Sequence, residues 1–284
     1  MTINPFTVDF SWFQLAAGFG LAVLIAGAAF AARSLSASGA IAAALLGTAI
    51  FGLGGLPWAV LLVGFFVSSS LLSRLFKRRK SAVNEKFSKG SRRDAGQVLA
   101  NGGVAGALVI AQAIFPSAGF LWAAAVGTLA AVNADTWATE LGVLSSGEPR
   151  LLITGQKVEK GTSGAVSWVG TLAALAGAAA IGVLAVMVWP EYAGGASLTA
   201  TPARLGLIAL AGLSGSFVDS LLGATVQAIY YCPTCAKETE RHPLHTCGTA
   251  TQPIRGWSWL NNDIVNLACA LTGALAASLI AAIF

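Results

Sequence analysis

Four acidic side chains interrupt or border long apolar segments, where they can do chemistry. Asp135 and Glu140 follow an apolar run in the segment NADTWATELG, Asp219 interrupts another in GLSGSFVDSLLGATVQ, and Asp263 begins the last one. Burying a carboxylate in a membrane is costly unless it is paired or binds an ion. Carboxylate oxygens are donors that Mg²⁺ prefers, so we predict that all four bind Mg²⁺ and that the first three are catalytic. The alternative for the first pair is an ion pair between a helix end and a loop lysine.

Amide side chains recur near these acids at helical spacing. Asn262 and Asn266 are four residues apart, and Gln227 lies eight residues after Asp219. Residues at these spacings share one face of a helix, so they present their oxygens to the same neighbour. Asn101 lies beside a pair of glycines that permit a close backbone approach. The alternative for these amides is helix capping and hydrogen bonding between helices.

A basic loop and a glycine-rich turn indicate phosphate binding. Arg92, Arg93 and Lys157 are the strongest basic candidates, although such a loop also serves topology and attraction to anionic lipid. The turn 161–164, of sequence GTSG, falls at a predicted helix start, where free N–H groups bind phosphate or a simple helix cap forms. No P-loop motif occurs in the sequence. The predicted nucleotide- and phosphate-binding residues are Arg92, Arg93, Asn101, Thr136, Lys157, Gly161, Thr162, Ser163, Gly164, Gln227, Asn262 and Asn266.

The segment YYCPTCAKETERHPLHTCG holds three of the four cysteines and both histidines. Cys232 and Cys235 form a CxxC pair, and His245 and Cys247 follow ten and twelve residues after the second cysteine. Three thiolates and one imidazole suit a tetrahedral structural Zn²⁺ site, for which His242 is an alternative ligand. A redox pair or disulfide, and no chemical role at all, are the other interpretations of this segment.

The elements that position these residues are predicted to be membrane helices. The chain has 284 residues, of which 56% are hydrophobic and only 10% are charged, too few to coat a water-exposed surface. Apolar runs of spanning length predict an all-α polytopic membrane protein with eight helices, forming one domain over residues 1–284. The Cys/His segment 231–259 is predicted as a loop between spans seven and eight. The predicted spans are 10–32, 38–55, 57–75, 97–115, 118–136, 163–189, 203–230 and 260–283.

Basic residues are distributed very unevenly among the predicted loops. Segments 33–37, 74–96, 137–162 and 231–259 hold 16 of the 17 Lys and Arg residues. Cytoplasmic loops carry an excess of Lys and Arg, so both termini are predicted outside and the chemistry on the cytoplasmic face. Acids beside a basic loop at a membrane suit a metal-bound phosphate substrate, and no nucleic-acid partner is expected.

Several motifs in a fixed order resemble a family of integral-membrane proteins that includes the plant phytyl-phosphate kinase. They are NADTWATELG, GTSGAVSWVGTLAALAGA, GSFVDSLLGATVQ, CPTC…HTCG and NNDIVN. The resemblance implies a kinase that converts an isoprenyl monophosphate into the diphosphate with a nucleoside triphosphate, for which CTP is a candidate. It points to Asn101, Asp135, Thr136, Glu140, the turn 161–164, Asp219, Gln227, Asn262, Asp263 and Asn266 as site residues.

Other activities are consistent with the same residues. A polyprenol kinase would phosphorylate the free alcohol, and a CTP-dependent lipid cytidylyltransferase would transfer a nucleotide instead of a phosphate. An ion-coupled transporter would use the intramembrane carboxylates as ion or proton sites. For a kinase, we expect the isoprenyl tail to lie between the small-residue faces of spans six and seven.

Overall fold

The computed structural model describes residues 11–76, 86, 89, 92–189 and 201–283, with side chains to residue 279. Within these ranges the chain forms seven helices, which confirms the predicted helical membrane protein. Six of them are long and apolar enough to cross a membrane, and the fourth helix is not among the six. The helices are α1 (Trp12–Ala31), α2 (Ala37–Leu75), α3 (Ala95–Ile114), α4 (Phe120–Gly142), α5 (Trp168–Met187), α6 (Thr201–Thr225) and α7 (Asn262–Ile283).

The long helix α2 is a hairpin of two legs that meet at Gly55. This glycine has a φ of 68°, which favours glycine, and Pro57 follows it. Arg74, at the end of the second leg, donates hydrogen bonds to Ala32 O at 2.6 Å and Ser34 Oγ at 2.8 Å, just before the first leg. A straight helix of 39 residues would separate these ends by about 58 Å. The two legs therefore correspond to the predicted second and third spans, joined at GLGGLPW.

Helix α4 lies at the centre of the bundle, and 14 of its 23 residues are buried. Small residues bring its neighbours close: a Cβ on Gly127 would overlap the backbone of Gly273 on α7. Helices α5 and α6 also pack closely, since a Cβ on Gly212 would meet that of Ala178. The small-residue faces of spans six and seven therefore serve helix packing at this level, and the groove expected between them for a lipid tail stays a prediction.

Three predicted helix ends are shifted for local reasons. Helix α3 begins at Ala95 because Asp94 caps it, accepting from the Gln97 N–H at 3.0 Å in a capping box. Helix α5 begins five residues later than predicted, after its cap Ser167, which accepts from the Gly170 N–H. Helix α6 ends at Thr225, so Gln227 does not continue its face but pairs with Trp257 in an isolated β-bridge.

Two small antiparallel sheets were not predicted, and they take residues 165–166 from predicted span six and residues 229–230 from predicted span seven. β1 (Arg150–Leu151) pairs with β2 (Ala165–Val166) before α5. A three-stranded sheet between α6 and α7 has the order β4-β3-β5. Its strands are β3 (Ile229–Cys232), β4 (Lys237–Thr239) and β5 (Gln252–Arg255).

The four predicted loops that hold 16 of the 17 Lys and Arg residues meet at one end of the bundle, here called the polar end. Arg93 N donates to Ser34 O at 2.9 Å, Lys86 pairs with Glu159 at 2.8 Å, and Glu240 N donates to Lys86 O at 2.8 Å. The cytoplasmic location of this end stays a prediction. The basic residues of 77–80 and the N-terminal residues 1–10 lie outside the described residues.

Candidate functional site

A cavity of about 290 Å³ opens at the polar end, between α3, α4, α6, α7 and the loop before α5. It brings together residues that are more than 170 positions apart in the sequence, from Arg93 to Asn266. The predicted site residues that line it are Arg93, Asn101, Asp135, Thr136, Glu140, Gly161, Thr162, Ser163, Gly164, Asp219, Asn262 and Asn266. Their roles in binding or catalysis stay predictions, but their convergence is a feature of the fold.

Three of the four carboxylates of the cavity come from helices α4 and α6. Glu140 is buried, and Ser73 on the second leg of α2 donates to its Oε1 at 2.7 Å. Asp219 has a buried Oδ2 with no hydrogen-bond partner among residues 11–76, 92–189 and 201–283. The carboxylates of Asp135 and Glu240 are close enough to that of Asp219 to repel it electrostatically. Clustered acids and an orphaned buried oxygen favour a bound cation.

This donor set fits Mg²⁺. Asp135, Glu140 and Asp219 present carboxylate oxygens, and Asn262 and Asn266 bring amides to the same cavity. Hard cations such as Mg²⁺ prefer oxygen ligands of this kind, and a buried oxygen without a donor is rare unless something binds there. The sequence-predicted role of these three acids is therefore compatible with their placement.

The fourth predicted Mg²⁺ ligand is placed differently. Asp263 does not line the cavity, and its Oδ2 accepts from Lys89 Nζ at 2.5 Å. Lys89 also pairs with Asp94 at 2.9 Å. Burial opposes the charge of Lys89, but these two carboxylates raise its pKa above the ordinary value. Lys89 therefore makes Asp263 an ion-pair partner, and its predicted metal role stays a prediction that concerns only the buried Oδ1, which has no hydrogen-bond partner among the described residues.

Three cationic side chains line the cavity together with four acidic ones. Lys89 lies between its two acids, and Lys160 donates to the carbonyls of Val143 and Ser145 just beyond α4. Burial lowers the pKa of the Arg93 guanidinium, and the neighbouring Glu140 carboxylate opposes this. The formal charge of the lining is thus slightly negative, so a polyphosphate would need an additional cation to bind.

Two of the three basic residues predicted to bind phosphate do not reach the cavity. Arg92 lies over the Phe30 ring at 5.8 Å and donates to Leu35 O at 3.4 Å, toward α1. Lys157 forms an ion pair with Glu148 at 3.5 Å, and both side chains are about two-thirds exposed. Lys89 and Lys160 line the cavity in place of Arg92 and Lys157, although the sequence analysis did not select them from the basic loops.

The glycine-rich turn lines the cavity but is not a helix N-terminus. Gly161 and Gly164 have φ values of 80° and 78°, and the turn leads into β2. A Cβ on Gly164 would overlap the backbone of Ala224, so glycine is needed for this turn to pack against α6. The actual start of α5 also lines the cavity, through Ser167 and Gly170. The N–H groups of Gly170 and Thr171 there already donate to Ser167, so phosphate binding by a helix start stays a prediction.

Gln227 lies behind the cavity and connects the turn to a residue that sequence reasoning missed. It is buried, its Oε1 accepts from Ser163 Oγ at 2.7 Å, and its Nε2 donates to Glu240 Oε1 at 3.0 Å. Glu240 itself lines the cavity. It follows β4 within the Cys/His segment, where no hydrophobic pattern in the sequence indicates that it faces the helices.

A second, apolar groove of about 90 Å³ adjoins the cavity. It lies between α1, both legs of α2 and α3, and Arg93, Gln97 and Asn101 line both spaces. Its apolar lining includes Ala22, Ile25, Ala26, Ala29, Leu46, Leu62, Phe65 and Phe66. A polar cavity that continues into an apolar groove suits an amphiphile with an anionic head.

The predicted zinc ligands form a separate cluster, here called the Cys/His cluster, which consists of Cys232, Cys235, His245 and Cys247. Their four donor atoms all lie within 4.8 Å of one another. The alternative ligand His242 is instead stacked on Tyr230, with ring centroids 4.4 Å apart.

The fold and the cavity define the chain as a polytopic helical membrane protein with a charged cavity at one end of its bundle. It belongs to the integral membrane protein family DUF92, whose sequence profile matches residues 20–274. It is 35% identical to the Arabidopsis thaliana Protein PGR over 89% of this chain and 91% of that protein.

Two further relatives extend the comparison. An uncharacterized membrane protein of Methanocaldococcus jannaschii is 34% identical over 68% of this chain and 74% of its own length. The chloroplastic Protein VTE6 of Arabidopsis thaliana is 26% identical over 91% of this chain and 69% of its own length. No solved structure matches the chain.

Proposed function

We propose that the protein is a membrane kinase that phosphorylates an isoprenyl monophosphate to the diphosphate with a nucleoside triphosphate, for which CTP is a candidate. The observation that carries the proposal is that the charged cavity and the apolar groove share the lining residues Arg93, Gln97 and Asn101. The family resemblance implies this reaction, and the match to VTE6 over most of the chain supports it.

The charged cavity is assigned to the phosphates. Lys89 and Arg93, from the loop before α3, and Lys160, from the loop before α5, supply positive charge to the cavity. Asp135, Glu140 and Asp219 would hold Mg²⁺, which when bound neutralises charge on the phosphate oxygens. This explains why a site for anions contains more acidic than basic side chains.

The chain's own residues align the two reactants. An anionic oxygen of the isoprenyl phosphate forms a bond to the γ-phosphorus, and the bond from that phosphorus to the β–γ bridging oxygen breaks. The electron pair leaves with the nucleoside diphosphate. Since the attacking oxygen is already anionic near neutral pH, positioning and charge stabilisation dominate, and a strong general base is not required.

The apolar groove is assigned to the first part of the isoprenyl tail. Its walls are aliphatic and aromatic, and burying each CH₂ group there contributes about 0.8 kcal/mol. The three residues shared with the cavity would then lie where the tail joins its phosphate. This assignment is an alternative to the tail groove expected between the small-residue faces of α5 and α6.

The reaction is tested with purified protein, phytyl and geranylgeranyl monophosphates, Mg²⁺, and CTP or ATP labelled at the α or γ phosphate. We expect the γ label to appear in the isoprenyl diphosphate. Transfer of α label to lipid would identify a cytidylyltransferase, and labelling of free phytol would identify a polyprenol kinase. Uptake of ions into proteoliposomes without nucleotide turnover would support a transporter instead. Each of these three outcomes contradicts the proposal.

A further inference from the structure

The Cys/His cluster brings four donor atoms together from two separate turns. The Sγ atoms of Cys232 and Cys247 are 3.6 Å apart, and His245 Nδ1 is 3.3 Å from the Sγ of Cys247. With Zn–S near 2.3 Å and Zn–N near 2.0 Å, neighbouring donors of a tetrahedral site are about 3.5–3.8 Å apart. The observed spacing is therefore close to that of a metal-bound set.

A disulfide does not account for this cluster. All four cysteines of the chain are free, and the 3.6 Å between Cys232 and Cys247 is far longer than an S–S bond of about 2.05 Å. Cys232 and His245 are also buried, which places two ligands inside the fold and leaves the others nearer its surface. Three thiolates and an imidazole in tetrahedral arrangement are typical of Zn²⁺.

The small sheet that carries the Cys/His cluster has little other stabilisation, so a bound metal would stabilise it. The sheet has three strands of only three or four residues, and its buried apolar side chains come from β3, whereas Pro253 and Ile254 of β5 are exposed. Sheets of this size are marginal on their own, and small units are commonly held by disulfides or metals. Cys232 and Cys235 flank the turn from β3 to β4, whereas the other two ligands follow in the loop that leads to β5.

Glu240 links this segment to the cavity. It lies between the two pairs of ligands in the sequence, one residue after β4. Its side chain accepts from Gln227, and its N–H donates to Lys86 O at 2.8 Å. Lys86 in turn pairs with Glu159 in the loop before α5. The position of Glu240 on the cavity wall therefore depends on how the three-stranded sheet is held.

We propose that the Cys/His cluster binds one structural Zn²⁺ that fastens the three-stranded sheet and thereby positions Glu240 against the cavity. Binding releases three thiol protons to solvent and changes no oxidation state. The protein supplies all four ligands, so no position is left open for a substrate, and the ion has no catalytic role. The proposal does not depend on the kinase reaction.

Metal analysis of the full-length protein, purified in detergent without chelator, tests the site. We expect one zinc per chain, and less than about a tenth of that in the double variant Cys232→Ser/Cys247→Ser and in His245→Asn. The matched controls are His242→Asn, in the same loop, and Cys269→Ser, in α7, both of which should keep their zinc. Wild-type protein without zinc, or ligand variants with unchanged zinc, would overturn the proposal.

A measurement on the wild-type chain covers the case in which the ligand variants do not fold. Removing zinc with a strong chelator should make the thiols of Cys235 and Cys247 react with a maleimide, and added zinc should protect them again. Proteolysis of the zinc-free protein should then begin within residues 229–255, while the helices stay intact. Alkylation that is equally fast with and without chelator would contradict the proposal.

Discussion

Helices α4 and α1 are similar in length but opposite in character. Fourteen of the 23 residues of α4 are buried, whereas only four of the 20 residues of α1 are. Helix α1 exposes large apolar side chains such as Trp12, Phe13 and Leu24. Helix α4 carries Asp135 and Glu140 and is not among the six helices apolar enough to be recognised as spans.

The difference shows that the apolar composition of a helix in this protein depends on how much of it faces lipid. A helix that faces lipid must be apolar around its circumference, but a helix surrounded by other helices is shielded and tolerates polar groups. The most buried helix therefore accommodates two of the acidic side chains that line the cavity. A helix that looks little like a membrane span can thus contribute to the same site as α6, which is apolar enough to span and carries Asp219.

The sharpest test of this contrast is the replacement of a central carboxylate. Asp219→Asn and Asp135→Asn keep the side-chain shape but remove a charged metal ligand, so we expect the labelled-nucleotide assay to show a loss of about 10²–10³-fold or more. The folded yield in detergent should change little, because the unpaired Asp219 oxygen stabilises nothing in the described structure.

Ser214→Ala is the matched control for these variants. Its hydroxyl donates to Ala211 O within α6, and it does not line the cavity, so activity should stay near wild type. Turnover of Asp219→Asn within about tenfold of wild type would exclude this residue as a metal ligand and weaken the assignment of α4 and α6 as the reactive centre.

A second test compares the packing of the two helices. A Cβ on Gly127 of α4 would overlap the Gly273 carbonyl, whereas one on Gly20 of α1 would have no atom within 4 Å. We expect Gly127→Val to lower the free energy of unfolding by about 1–3 kcal/mol, and Gly20→Val to change it little. Thermal unfolding in the same detergent measures both. Equal destabilisation would mean that α4 is not held more tightly than α1.

Local patterns in the sequence predicted much of this architecture. Apolar runs and the GLGGLPW bend gave eight helical segments, because each signal lies within a few adjacent residues. Acids within apolar runs, such as Asp219 in α6, led to the cavity for the same reason. A carboxylate in a membrane segment is costly wherever the neighbouring helices are, so it marks a site before the fold is known.

Tertiary placement could not be predicted in this way. Arg92 and Arg93 are adjacent in the sequence, yet one lies over Phe30 and the other lines the cavity. The ion pair of Asp263 was missed because its partner Lys89 is 174 residues away in the chain. Glu240 reaches the cavity only through strand pairing, for which three-residue strands leave too weak a pattern.

A third test concerns the two faces of α1. Ala26 is buried and lines the apolar groove, whereas Ala28 is exposed on the outside of the bundle. Ala26→Phe should lower kcat/KM for phytyl phosphate about fourfold, the equivalent of one lost CH₂ contact, and should affect a short-chain prenyl phosphate less. Ala28→Phe should leave both substrates unchanged. An equal loss for long and short substrates would place the tail elsewhere.

The smallest expected effect concerns the polar caps of the helices. Burial opposes ionisation of Asp94, but hydrogen bonds from the Gln97 N–H and from Lys89 outweigh it and hold the pKa of this carboxyl below its ordinary value. The charge therefore stabilises the fold above the ordinary pKa, near 3.9, and this contribution is lost as the pH falls through the lowered one.

Asp94→Asn keeps a good capping group but removes the charge, so it isolates this contribution. At about pH 6 the variant should be less stable than wild type by less than about 1 kcal/mol, because the carboxylate is partly exposed, and the gap should be smaller at about pH 3. Ser11→Ala, at the uncharged cap of α1, should cost the same at both pH values. A gap for Asp94→Asn that does not change with pH would show that its charge contributes nothing to the polar end.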